Sequence, residues 1–123
     1  MKYKLIQRSI PMQPAPYKWY AVPVNLGTIS QRDISNDIVA LSSLSRGDIS
    51  SCIDNLLDTV PKYLLLGKSV NLGGLGTFRL SFSSQGIEVP EDFHVNMLSR
   101  VKIIFTPSVE LRSKIKQLKI EKV

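Results

Sequence analysis

The sequence has one cysteine, Cys52, and one histidine, His94, in 123 residues. A lone cysteine closes no internal disulfide, and neither residue has the companions from which a Cys or His metal cluster is built. Cys52 lies between Ile49, Ile53 and Leu56 in an apolar stripe and is expected to be a small core residue, while His94 is expected to be structural or solvent-exposed. Long hydrophobic runs are missing too. The start, Met1-Lys-Tyr-Lys-Leu-Ile-Gln-Arg8, is not followed by an apolar run of signal-peptide length, and nothing elsewhere approaches a membrane span. A cytoplasmic protein with no membrane partner is expected.

Motifs for nucleotide binding or catalysis fail on spacing. Gly67-Lys68-Ser69 has the ending of a phosphate-binding loop, but that loop needs a glycine five residues before its second one, and position 62 is Lys. Gly74-Leu-Gly76 opens like a dinucleotide fingerprint, but position 79 is Arg where the third glycine belongs, and a strand pattern follows instead of a helix. No His is paired with a Ser or Cys, and Glu91 and Asp92 are adjacent without a further acid to complete an acid/base pair. A non-enzymatic chain is expected, with no catalytic residue, cofactor, metal or small-molecule substrate.

What is present is an ordinary globular composition with a basic balance. Hydrophobic residues make up 43% and charged residues 21%, which suits one folded domain and argues against wholesale disorder. Sixteen Lys and Arg against ten Asp and Glu give a net charge of +6. Such a balance favours a polyanionic partner through long-range attraction, though it also describes a merely soluble basic surface.

Residues 3–8 and 17–24 are short, rich in Tyr, Ile and Val, and separated by Pro11, Pro14 and Pro16, which predicts two strands around a loop. Tyr17, Trp19 and Tyr20 suit either a nucleic-acid stacking platform or packing on a core, and only Lys18 interleaves them. Thr28 and Ser30 offer helix caps, and Ser30-Gln-Arg-Asp33 approximates a capping box. A first helix then runs through Ile34, Ile38 and Leu41. Ser45-Arg-Gly-Asp48 repeats the signal, and Ile49, Ile53, Leu56, Val60 and Leu64 form the stripe of a longer second helix. Pro61 is expected to kink that helix or end its regular part, and Gly67 to stop it. The two helices give a helix-turn-helix outline, but Asp48, Asp54 and Asp58 on the second would repel phosphate, so its stripe reads as a packing or dimer surface.

From Val70 the period changes from helical to alternating. Val70-Asn-Leu-Gly-Gly-Leu-Gly-Thr-Phe-Arg-Leu80 predicts strand, turn and strand with one apolar face. A polar segment runs to about Ser99, Val101-Lys-Ile-Ile-Phe105 reads as a returning strand, and Pro107-Ser108 opens a last helix. Leu111, Ile115 and Leu118 form its apolar edge, and Arg112, Lys116 and Lys119 its basic edge.

This order resembles the HU/IHF family of bacterial histone-like proteins. The similarity is most specific over Gly67 to Arg79, where Leu75 replaces the usual aromatic of the family's Gly-Phe-Gly-Thr-Phe, and over Lys102-Ile-Ile-Phe-Thr-Pro-Ser-Val-Glu-Leu-Arg112. The Lys2-Tyr-Lys-Leu start, the Pro-rich loop and the ending Lys119-Ile-Glu-Lys-Val123 are similar to the HU-related branch common in Bacteroidetes. The resemblance implies an α+β, HU/IHF-like fold. Its parts are two helices in the N-terminal half, an antiparallel β-sheet with a shortened arm, a C-terminal helix and an N-terminal β extension. It also implies an intertwined homodimer, with Ile49, Ile53, Leu56, Phe78 and Phe105 in a shared core. One domain is expected over 1–123, comprising an extended segment at 1–27, an HU-like core at 28–123 and an arm at 83–100.

In function the resemblance implies a nucleoid-associated protein that binds duplex DNA with little sequence preference, its arms in the minor groove and a saddle of Lys and Arg on phosphates. Arg79, Arg100 and Lys102 would stand at the base of the arm, Lys114, Lys116 and Lys119 on the flank, and Lys68 in the Gly-rich segment. The arm departs from the family pattern. Residues 83–99 contain no Lys or Arg, and Glu88, Glu91 and Asp92 surround Pro90, which predicts a turn residue instead of an intercalating wedge. A structural or protein-interaction module that kept the fold and lost DNA contact is the alternative, with Phe93, Met97 and Leu98 as its apolar arm.

Overall fold

Two serines start the two long helices of this computed structural model, which describes residues 1–12 and 16–123. The Ser30 hydroxyl accepts from the Asp33 amide at 3.1 Å while the Asp33 carboxylate accepts from the Ser30 amide at 3.0 Å, closing a capping box before α1 (Gln31–Leu41). Ser45 and Asp48 repeat it at 3.1 and 3.2 Å before α2 (Arg46–Leu65). Of the two expected caps, Ser30 and not Thr28 is used. α2 does not end at Pro61 but continues to Leu65. It stops in a Schellman motif, where Gly67 takes φ +78°, its amide bonds the Leu64 carbonyl, and the Lys68 amide bonds the Tyr63 carbonyl.

The strands form two separate three-stranded sheets. In the first, β1 (Lys2–Ser9) pairs antiparallel with β2 (Tyr17–Val24), matching the expected N-terminal β extension. Pro14 of the predicted loop lies outside the described residues. In the second, β3 (Val70–Asn71), β4 (Gly76–Ser84) and β5 (Leu98–Pro107) form an antiparallel meander, with β5 longer at both ends than the predicted strand. Between β4 and β5 the chain makes two 3₁₀ turns, Pro90–Asp92 and Val95–Met97. Pro90 opens the first of them, where a missing amide hydrogen costs nothing, in keeping with a turn residue.

One expectation at the C-terminus needs correction. The last helix, α3 (Val109–Lys116), is capped by Ser108 as predicted but ends before Leu118 and Lys119, so the basic edge is one turn shorter. Beyond it, β6 (Glu121–Lys122) pairs parallel with β1 to complete the first sheet. A two-residue strand has no periodicity to read; it exists because the chain ends meet, with the Glu121 amide on the Met1 carbonyl and the Val123 amide on the Tyr3 carbonyl, each at 3.0 Å.

Burial within one chain is slight. Among the described residues only Ile49 and Leu64 are buried apolar side chains. Cys52, expected in a core, is exposed, and Leu56 and Phe105 keep 45% and 40% of their surface. The chain exposes 10398 Å². A compact monomer of 13.8 kDa exposes about 6,600 Å². The stripe on α2 and the apolar face of the second sheet border an open apolar hollow of about 230 Å³, lined by Leu56, Leu57, Val60, Pro61, Leu72 and Phe78. A single chain buries the two ends of the stripe, Ile49 and Leu64, half-buries Ile53 and Val60, and leaves Leu56 at its middle exposed.

Candidate nucleic-acid interface

The Gly-rich segment places the basic residues by fixing how β4 leaves its turn. Asn71 accepts from the Gly73 amide through its side-chain oxygen at 2.7 Å, Gly73 takes φ +60°, and the Leu72 amide bonds the Gly76 carbonyl at 2.8 Å. Ser108 ties this turn to α3. Its hydroxyl donates to the Gly74 carbonyl at 2.5 Å and accepts from the Leu111 amide at 3.0 Å, and its amide bonds the Leu75 carbonyl at 3.1 Å. The two segments most similar to the HU/IHF pattern are therefore joined through one serine.

From Gly76 the register runs Phe78 opposite Phe105, Arg79 opposite Ile104, Leu80 opposite Ile103 and Ser81 opposite Lys102. Alternation puts Phe78, Leu80, Ile103 and Phe105 on one face and Arg79 and Lys102 on the other. The rings of Phe78 and Phe105 lie 4.8 Å apart between centroids, a tilted pair that holds the apolar face together. Arg79 and Lys102 are diagonal neighbours, both exposed, on a face shared with Thr77, Ser81, Thr106 and the half-buried Ile104 opposite Arg79.

Arg100 is not brought to that face. The pairing jumps from Ser81 with Lys102 to Ser83 with Ser99, so Arg100 and Val101 together oppose Phe82 in a β-bulge, and Arg100 adopts φ +56°. An arginine in the left-handed region is strained by about 1–2 kcal/mol. The alternating pattern of 100, 102 and 104 hides this, because a bulge is a property of the pairing.

The remaining basic residues are spread out. Lys68 follows the α2 stop, and its ammonium lies 5.8 Å from the Tyr63 ring centroid, with that of Lys62 at 5.3 Å from the same ring. Lys114 and Lys116 occupy the last turn of α3, where cations favour the helix dipole. Lys119 lies past the helix, its carbonyl accepting from the N-terminal amine at 3.1 Å. Among the described residues none of these basic groups is in an ion pair; the one recorded pair joins Lys2 to Glu121 at 3.6 Å. His94 is exposed, no cluster of His, Cys, Asp and Glu suits a metal, and no helix is long and apolar enough to cross a membrane, again among the described residues.

Tyr17, Trp19 and Tyr20 do not make one platform. Register with β1 sets Tyr17 and Trp19 on one face, 58% and 64% exposed, and Tyr20 on the other. On the Tyr20 face stand Lys2, Lys4, Arg8 and Lys18, of which only Lys18 is singled out by the sequence. The alternation of Lys2, Lys4 and Arg8 was a legible signal; their meeting with Lys18 depends on the pairing.

Residues 1–122 match the family described as an HU domain fused to wHTH, Ig, or Glycine-rich motif. The chain belongs to this HU family. It is similar to the integration host factor subunit alpha of a Marinomonas species, 25% identical over 92 residues that make up 73% of this chain and 94% of that one. The corresponding subunit from a Buchnera aphidicola strain is 28% identical over 93 residues, 74% of this chain and 89% of its own length. In fold, this HU chain is similar to a candidate bacterial DNA-binding protein from Bacteroides vulgatus, with TM-score 0.63 and 20% identity, over 99% of this chain and 47% of that one. It therefore spans about half the length of that solved chain. The HU/IHF family consists of DNA-binding architectural proteins, not enzymes.

Proposed function

We propose that this HU chain acts as a homodimeric, nucleoid-associated protein in the cytoplasm that binds duplex DNA with little sequence preference through Lys and Arg contacts to backbone phosphates. The observation that carries the reading is the shared exposed face of Arg79 and Lys102, back to back with the Phe78 and Phe105 face. On this reading the apolar face and the α2 stripe are covered by a second copy, and one HU-like domain spans 1–123, with 1–27 as its N-terminal extension and 83–100 as its arm. Arg100, Lys68, Lys114, Lys116 and Lys119 add weaker phosphate contacts around the main pair. Small molecules and membranes are not partners on this reading. Three carboxylates and no cation between β4 and β5 argue for binding without a wedge between base pairs.

A mobility-shift titration against salt tests it. With about six phosphate contacts, affinity falls on the order of a thousandfold between about 50 and 200 mM salt. The variant Arg79→Ala, Arg100→Ala, Lys102→Ala flattens that dependence. No binding at low salt, or binding indifferent to salt, overturns the reading.

The same loop favours a second reading, a protein-interaction module on the HU fold. Of the expected apolar arm, Phe93 is exposed beside Glu91 and Asp92, as is Val95, while Met97 and Leu98 are half-buried. That reading predicts that DNA binding is weak in the wild type and unchanged in the triple variant.

A further inference from the structure

The N-terminal strand pair, β1 with β2, is basic and has no acidic residue of its own. Residues 1–32 contain Lys2, Lys4, Arg8, Lys18 and Arg32 and no Asp or Glu. Eight consecutive pairs, from Lys2 with Val24 to Ser9 with Tyr17, fix the faces without interruption. One face carries Lys2, Lys4, Arg8 and Lys18 around the half-buried Ile6, Val22 and Val24, with Lys4, Arg8 and Lys18 exposed; the other carries Tyr3, Leu5, Trp19 and Tyr17. From Lys2 to Arg8 the basic row is about 20 Å long at the usual strand rise, and about six base pairs of duplex occupy that length.

Arg8 and Lys18 stand directly opposite each other. Like charges in that relation destabilise a strand pair. No carboxylate offsets them: among the described residues the one acidic group paired to this sheet, Glu121 on β6, is engaged with Lys2 at 3.6 Å. Arg8 is further held by the Tyr20 ring, its guanidinium carbon 5.5 Å from the centroid, which limits its freedom to swing away from the face. The sheet thus keeps a repulsive pair and a row of exposed cations, an arrangement that a polyanion laid along the strands would relieve.

We propose that the Lys4, Arg8 and Lys18 face of the N-terminal sheet is a second contact surface for the duplex DNA backbone, separate from the Arg79 and Lys102 face. This rests on the reading of the chain as a DNA-binding HU protein. The surface supplies phosphate contacts from the opposite end of the sequence, where the arm between β4 and β5 has none to offer.

The test is a fluorescence-anisotropy titration of the full chain with a duplex of about 30 base pairs, at salt concentrations from about 50 to 200 mM. Removing three phosphate contacts in Lys4→Gln, Arg8→Gln, Lys18→Gln lowers the log-log salt slope by about 2.7 per chain, so the wild type's advantage shrinks roughly 40-fold across that range. The variant melts no lower than the wild type, because the repulsive pair is gone. The charge-preserving variant Lys4→Arg, Arg8→Lys, Lys18→Arg keeps the wild-type slope, as does Trp19→Ser on the other face. Wild-type binding with an unchanged slope in the neutral variant overturns this proposal alone; no wild-type binding at low salt overturns the parent reading. A loss in the charge-preserving variant equal to that in the neutral one also refutes it. So does an unchanged DNA slope combined with loss of binding to phosphatidylserine vesicles, which would assign the face to a membrane surface.

Discussion

Gly76 lies so close to Phe105 that a β-carbon there would meet Phe105 Cε2 at 2.6 Å, and would also collide with the Thr106 carbonyl oxygen. Gly76 has φ +148°, which adds backbone strain for any other residue. Gly76→Ala is expected to cost about 2–4 kcal/mol from overpacking and backbone strain together. Gly74 has open space where its β-carbon would stand and no positive φ, so Gly74→Ala is expected to change stability by under about 0.5 kcal/mol. Urea unfolding of the two variants checks the contrast; equal effects would refute the packing account of Gly76.

The α1 cap makes a pH-dependent contribution. The Ser30 amide and then its hydroxyl donate to Asp33, and Arg32 adds a smaller attraction, which together hold the Asp33 carboxyl below the ordinary carboxylate value despite a small opposing desolvation. Because the folded value is the lower one, this contribution is complete above the unfolded value and is lost as pH falls through the folded one. Helicity of α1 followed through an acid titration is expected to decline in that window in the wild type and to lose this component in Asp33→Asn. Ser30→Ala is expected to cost about 1 kcal/mol.

Pairing of two chains should appear as mass action. The melting temperature is expected to rise with chain concentration, and sedimentation to give twice the 13.8 kDa chain mass. Leu56→Asp places a carboxylate on the apolar stripe and is expected to remove both behaviours, since an unpaired buried charge is not tolerated. A wild-type monomer with a concentration-independent transition would exclude the shared core.

Arg100 separates strain from binding. Arg100→Gly relieves the left-handed conformation but adds chain entropy on unfolding, for a net gain of about 0.5–1 kcal/mol. If Arg100 also touches a phosphate, the same variant lowers the salt slope by about 0.9 per chain. Calorimetry and the DNA titration read the two effects independently.

The sequence by itself determined whatever rests on neighbours a few residues apart. Ser30 and Ser45 with their Asp partners, Gly67 at the helix stop, the Gly73 turn and the Ser108 cap are all closed by hydrogen bonds within a few positions, so their residue types announce them. Alternation around Phe78 and Phe105 likewise showed that the second sheet has one apolar face. The tertiary structure decided what depends on pairing between distant segments. It set Arg79 beside Lys102 and moved Arg100 into a bulge, formed β6 from chain ends that meet, and gathered Lys2, Lys4, Arg8 and Lys18 on one face. It also left Cys52 and, at the middle of the α2 stripe, Leu56 exposed. The physical reason is common to all of these. A register slip of one residue turns a side chain to the opposite face, and burial needs a second surface, and neither is encoded in a local spacing.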